Sequence, residues 1–356
     1  MTTYLSQAAA RLHSAIAACF YASALSFCAS ALSFWASANP ACANDTMAEL
    51  RTGGLAYVMT TDVTMAEEDL FLSMDEVRVD YLFKNSSDKD VTSLVAFPMP
   101  DITASPDGNI ALPDFETDNF LNFTVTQDGK PIQPQLQQKV TALSVDWTEE
   151  LRKHKVSLLP FSDRAVEDLK ALPAEVLQDW AAKGLVFADS FDAGQGWQTV
   201  YRPLWTLQSV YYWETTFKAG ASVRVSHRYR PSVGGTVAMS FISEGKPAFS
   251  YEAYKTRYCL DESFMKAAAR LEKASANGGE AVTEAWLSYI LKTGANWGGT
   301  IGKFRLTIDK GKPGNLVSLC GEGIKKTGPT TFVMEKTDFW PERDLDLLFL
   351  LVPSSN

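Results

Sequence analysis

The chain has 356 residues, 46% of them hydrophobic, and a formal net charge of −9 from 42 acidic and 33 basic side chains. An acidic chain without basic clusters does not suit nucleic acid or anionic membrane surfaces as partners. Its length suffices for one large or two medium domains.

Arg11 is the only Lys, Arg, Asp or Glu in the first 43 residues, and Ser14 to Ala38 is a long, largely apolar run. The run holds a seven-residue echo, ASALSFC at 22–28 followed by ASALSFW at 29–35, and leads to the small-x-small site Ala41-Cys42-Ala43. Residues 1–43 therefore read as a secretory signal peptide, which places the mature chain in the periplasm or outside the cell. The run is nearly long enough to span a bilayer, so an uncleaved N-terminal anchor is the alternative. No later segment is apolar enough to cross a membrane.

Asn44 to Arg51 reads as a polar lead-in. A strand is expected near Leu55–Thr60 and an acidic one within Val63–Met74, where Glu67, Glu68 and Asp69 suit a solvated edge that discourages aggregation. Val77, Val79, Tyr81 and Phe83 then alternate with charged or polar residues, the period of a half-buried strand. A polar turn at 85–90 brings the chain back through Val91–Phe97, and Pro98 and Pro100 stop it. The segment 101–119 is a long loop, of a length that is unusual inside compact domains. Its Asp101, Asp107, Asp114, Glu116 and Asp118, with Asn109 and Asn119, offer the hard oxygens of an extracellular calcium site or are simply solvated acids. Their spacing matches no EF-hand.

Strands follow at Phe120–Thr126 and Ile132–Leu143, turned by Asp128-Gly129-Lys130-Pro131. Between 148 and 196 the pattern becomes helical, with Ser162 as an N-cap and a helix from Pro173 to Lys183 closed by Gly184. From Trp197 the chain is β again. Trp197, Trp205, Tyr211, Tyr212 and Trp213 are candidate platforms for a glycan or peptide, although alternation turns at least half of them toward a core. Val223, Val225, His227 and Tyr229 form one strand face, and Asp261 caps a helix bearing Phe264, Ala268 and Leu271. Further strands are expected at 236–242, 286–292, 302–309, 317–320, 330–336 and 345–351.

With residues 1–43 removed, Cys259 and Cys320 are the remaining cysteines, and an exported chain with two most simply pairs them as a disulfide. His154 and His227 are the remaining histidines, and His227, on an apolar strand face, reads as a core residue rather than a catalytic base. No GxSxG, HExxH, phosphate-loop or GxGxxG motif occurs, so the sequence implies no cofactor.

The strings VRVDYLFKNSSDKDVTSLVAFPMPDI, TGANWGGTIGKFRLTIDKG, SLCGEGIKKTGPTTF and DFWPERDLDLLFL resemble a bacterial secreted family, domain of unknown function 4424, across residues 44–351. The resemblance implies export and a predominantly β fold, and brings no assigned activity or catalytic residues. The shorter string FKNSSDKDVTSLVAFPMP also resembles one strand pair of the inter-alpha-trypsin inhibitor N-terminal (VIT) domain.

The expected architecture is mainly β, with antiparallel β-sandwich units, a small helical insertion and one further helix. Its parts are an N-terminal β-sandwich region at 44–147, the insertion at 148–196, and a C-terminal β-rich region with the disulfide at 197–356. The expected role is a non-enzymatic binding or structural module whose partner is an envelope protein or glycan. The alternative is a carbohydrate-active or other hydrolase that uses a pair of acidic residues.

Overall fold

A computed structural model describes residues 44–51, 54–106, 110–279 and 281–353. The signal-peptide expectation lies outside these residues. The alternating runs pair into three large sheets. The eight-stranded sheet runs in the order 325–326, 331–339, 301–309, 63–72, 77–85, 222–229, 124–127, 130–132. The seven-stranded sheet runs 145–146, 135–142, 206–217, 91–98, 46–51, 54–58, with 102–103 also paired to 206–217. The five-stranded sheet runs 316–319, 345–351, 283–289, 233–236, 110–111. Neighbouring strands are antiparallel except Val63–Leu72 and Ile301–Asp309, which run parallel with Lys303 opposite Glu67.

The seven- and eight-stranded sheets bury their inner faces against one another, as a β-sandwich does. His227 of the eight-stranded sheet lies 4.8 Å from Phe97 and 5.4 Å from Trp213 of the other, measured between ring centres. Tyr81, Phe83, Val95 and Val225 are fully buried in the same core. The five-stranded sheet adds Leu287, Tyr289, Leu347 and Phe349 to it. Its other face, through Leu348 and Leu350, packs on Tyr258, Phe264 and Ala268 of the helices Tyr251–Tyr258 and Glu262–Ala276. Asp261 caps the second helix by accepting from the Phe264 N–H, 2.7 Å away.

The insertion carries helices Thr148–Lys153, Asp163–Lys170 and Ala174–Ala182, the middle one capped by Ser162. It ends in a strand, Val186–Asp192, that pairs with Trp197–Pro203 as a separate two-stranded ribbon. Sequence reading left that strand within the helical stretch.

Two other readings are corrected. Asn44–Arg51 is not a lead-in: Thr46–Arg51 is a strand between Val91–Pro98 and Gly54–Val58, and Asn44, Asp45 and Thr46 are fully buried. Glu67–Asp69 is not a solvated edge, because Val63–Leu72 lies between two neighbours inside the eight-stranded sheet and Glu68 is 1% exposed.

Candidate functional site

The three consecutive acids of Val63–Leu72 build the most chemically distinctive region. A bulge between Met65 and Glu67 shifts the pleat, so that Glu67 and Asp69 face outward while Glu68 turns into the core. One strand thus contributes to a groove above the sheet and to a polar cluster beneath it.

The groove has a volume of about 860 Å³ and crosses the outer face of the eight-stranded sheet. Strand register places Arg305, Asp69, Asp80 and Ser226 side by side, with Lys303, Glu67, Leu82 and Arg224 in the adjoining row. Most of these charges are answered locally. Lys303 lies 3.0 Å from Glu67, Arg305 3.2 Å from Glu335, and Arg78 3.8 Å from Asp80. Arg78 also sits 5.1 Å above the Phe71 ring, and the Ser226 hydroxyl donates to Asp80.

Two features are left over. Asp69 and Asp80 are directly opposed carboxylates, an unfavourable pairing across an antiparallel ladder. Partial burial raises the Asp69 carboxyl above its usual range against the pull of Arg305, and Asp80 pushes it the same way. No acidic side chain pairs with the Arg224 guanidinium among the described residues. The groove therefore offers two adjacent carboxylates and, in Arg224 and Lys336, two lining cations that no acidic side chain pairs among the described residues.

Beneath the sheet, Asp45 Oδ1 lies 3.0 Å from His227 Nε2, with both side chains fully buried. Tyr81 donates to Asn44 Oδ1, and its hydroxyl is 3.1 Å from that of Tyr289. Asn44 Nδ2 reaches Glu68 Oε2 at 3.4 Å, and burial pushes the Glu68 carboxyl up to about 8. Burial likewise raises Asp45, against the favourable field of His227. Asp45 Oδ2, Glu68 Oε1 and His227 Nδ1 are buried without a hydrogen-bond partner among the described residues.

The aromatic residues singled out from the sequence do not converge. Trp205 and Trp213 are buried, Trp205 donating to the Leu158 carbonyl at 2.8 Å. Tyr211 packs on Phe123, and Tyr212 donates to Gln135 Oε1 at 2.6 Å. Trp197, 79% exposed, stands on the two-stranded ribbon. Of the calcium candidates, Asp101 accepts from Gln208 at 3.1 Å and is raised by burial. Asp114 caps the turn through the Glu116 N–H and the Thr117 hydroxyl, and Asp118 lies near the Tyr211 hydroxyl. Asp107 lies outside the described residues, among which no three His, Cys, Asp or Glu side chains converge to hold a metal. Cys259 and Cys320 are joined, with their Cα atoms 5.0 Å apart.

Sequence reading missed Asn44, Asp45, Asp80, Arg224 and Arg305. The alternation of Val77–Phe83 did put Asp80 on the outer face, but which acid faces it depends on the bulge.

A family model described as "Domain of unknown function (DUF4424)" matches residues 43–348. A crystal structure from Legionella pneumophila, described as a "putative nutrient binding protein", is similar over 87% of this chain and 70% of its own. The two share 18% identity at a TM-score of 0.45. No curated protein matches the chain.

Proposed function

Starting from a chain that belongs to the DUF4424 family, which assigns no activity, we propose a non-enzymatic binding module of the bacterial envelope. Its ligand is a small zwitterionic solute held in the groove of the eight-stranded sheet. The observation that carries this reading is the opposed pair Asp69 and Asp80 beside the unpaired Arg224. A ligand ammonium between the carboxylates relieves their repulsion, and a ligand carboxylate satisfies the guanidinium by a charge-assisted pair. The volume lies in the range of small-molecule sites.

Thermal unfolding of residues 44–356 with free amino acids and dipeptides tests this. At least one zwitterion is expected to raise Tm by mass action on the native state. Asp69→Asn and Arg224→Ala should each abolish the shift. A panel that leaves Tm unchanged would overturn the proposal.

The raised Asp69 beside Asp80 also favours a second reading, a hydrolase in which Asp69 supplies a proton and Asp80 acts as the carboxylate partner. Release of nitrophenol from aryl glycosides, lost in Asp69→Asn, is its expected signature. Release that survives the substitution excludes it.

Export with removal of residues 1–43 belongs to the same proposal. It is supported by the small-residue site at 41–43 and by the Cys259–Cys320 bond, which suits an oxidising compartment. No helix among the described residues is long and apolar enough to cross a membrane.

A further inference from the structure

Asn44 is fully buried and is gripped by the segment 291–297, which overlaps the TGANWGG string at 293–299. Its N–H donates to Thr293 Oγ1 at 3.0 Å, and the Thr293 hydroxyl donates back to the Asn44 carbonyl at 2.9 Å. Its side-chain amide donates to the Leu291 carbonyl at 3.3 Å. Trp297 Nε1 holds the Asp45 carbonyl at 2.8 Å, and Asn296 Nδ2 holds Thr46 Oγ1 at 3.0 Å. The fit has no slack, since a Cβ on Gly294 would come within 2.8 Å of Asn44 Nδ2. So many polar partners around one residue, in the middle of a hydrophobic core, require an explanation.

Charge supplies it. The cluster buries two carboxylates, Asp45 and Glu68, beside one histidine, which contacts Asp45. Glu68 has no cationic partner among the described residues, and its Oε1, like Asp45 Oδ2, lacks a hydrogen-bond donor. An isolated buried carboxylate is costly, and the group either takes up a proton or is relieved by the arrival of a cation.

We infer that this cluster is an internal binding site for the chain's own α-ammonium group, created when the bond between Ala43 and Asn44 is cut. The inference rests on the export reading above. A signal-peptidase-type protease adds water across that bond. The carboxylate leaves on Ala43, and the freed amine of Asn44 takes up a proton. The single N–H of the uncut chain becomes three donors, one already directed at Thr293 and two available to the unpartnered carboxylate oxygens. Processing thus completes the core rather than merely trimming the chain.

Two chains test the site, one beginning at Asn44 and one with a single glycine added before it, both released without scars from a fusion. The Asn44 chain is expected to melt about 5 °C higher, a gap that Glu68→Gln should erase. Its α-amine should resist acetylation by an N-hydroxysuccinimide ester at least about 100-fold better when folded than in urea, by population of the open state. Equal melting, or acetylation as fast as in urea, would overturn the site. N-terminal sequencing of the exported protein is a separate arm. A start other than Asn44 refutes processing at that bond, whatever the purified pair shows.

Discussion

Glu68 shows how far one inward-turned side chain can set the chemistry of a core. In a chain that retains residues before Asn44, the groups facing its carboxylate are the Asn44 amide, Asp45 and the hydroxyls of Tyr81 and Tyr289, while His227 contacts Asp45. Burial then holds the carboxyl protonated up to about 8. A folded pKa above the usual carboxyl range means that the native chain binds this proton more tightly than the unfolded one. The stability it contributes is complete below about 4.5 and is lost as pH rises through about 8. Such an extended chain should therefore lose Tm between pH 5 and pH 8.5, and Glu68→Gln should remove that part of the loss. Parallel profiles for the two proteins would place the titration on another group. None of this was legible in the string Glu67-Glu68-Asp69. The bulge that separates their fates is set by pairing with Val77–Asn85, and Leu291 and Thr293, which hold Asn44 beside Glu68, lie 247 and 249 residues from Asn44.

Among elements, the pair of helices behind the five-stranded sheet depends most visibly on a covalent tie. Cys259 ends the helix Tyr251–Tyr258 in a left-handed conformation, at a φ of 54°, and bonds to Cys320 just beyond the strand Leu316–Leu319. Ser318 Oγ donates to the Tyr258 carbonyl at 2.9 Å alongside it. Chain entropy for a closed loop of this size predicts about 4 kcal/mol of stabilisation. Cys259→Ser and Cys320→Ser should each lose roughly that amount, and the double substitution little more, because both remove one bond. Additive losses in urea unfolding, or two titratable thiols in the unreduced, denatured mature protein, would refute the bond. The caps Ser162 and Asp261 announced their helices because capping is local. The helix Tyr251–Tyr258 left no such mark: the hydroxyl of its N-cap, Ser250, donates to the Ser240 carbonyl instead of capping the helix, and its apolar residues do not collect on one stripe. The strand Val186–Asp192 was hidden in the same way, its largely exposed residues burying no regular face, whereas its partner Trp197–Pro203 was legible as β.

At the scale of the molecule, the strands of residues 44–147 and 197–356 are interleaved. Thr206–Phe217 lies between Val91–Pro98 and Gln135–Ala142, and Ser222–Tyr229 lies between Val77–Asn85 and Thr124–Gln127. Ile301–Asp309 completes the other side of Val63–Leu72 by a parallel pairing. The alternation of individual strands was legible because it reports one buried face, whereas the choice of neighbour across 100 or more residues leaves no local trace. Each half alone would therefore expose the edges and inner faces that the other covers, and neither could close the sandwich. Residues 44–147 expressed alone should show no cooperative thermal transition and no dispersed amide NMR spectrum. Mixing with residues 148–356, refolded together from urea, should restore both, at a slow rate set by the long-range pairings. A cooperative transition in the isolated 44–147 fragment would show instead that its own strands suffice, and that the later strands dock onto a preformed unit.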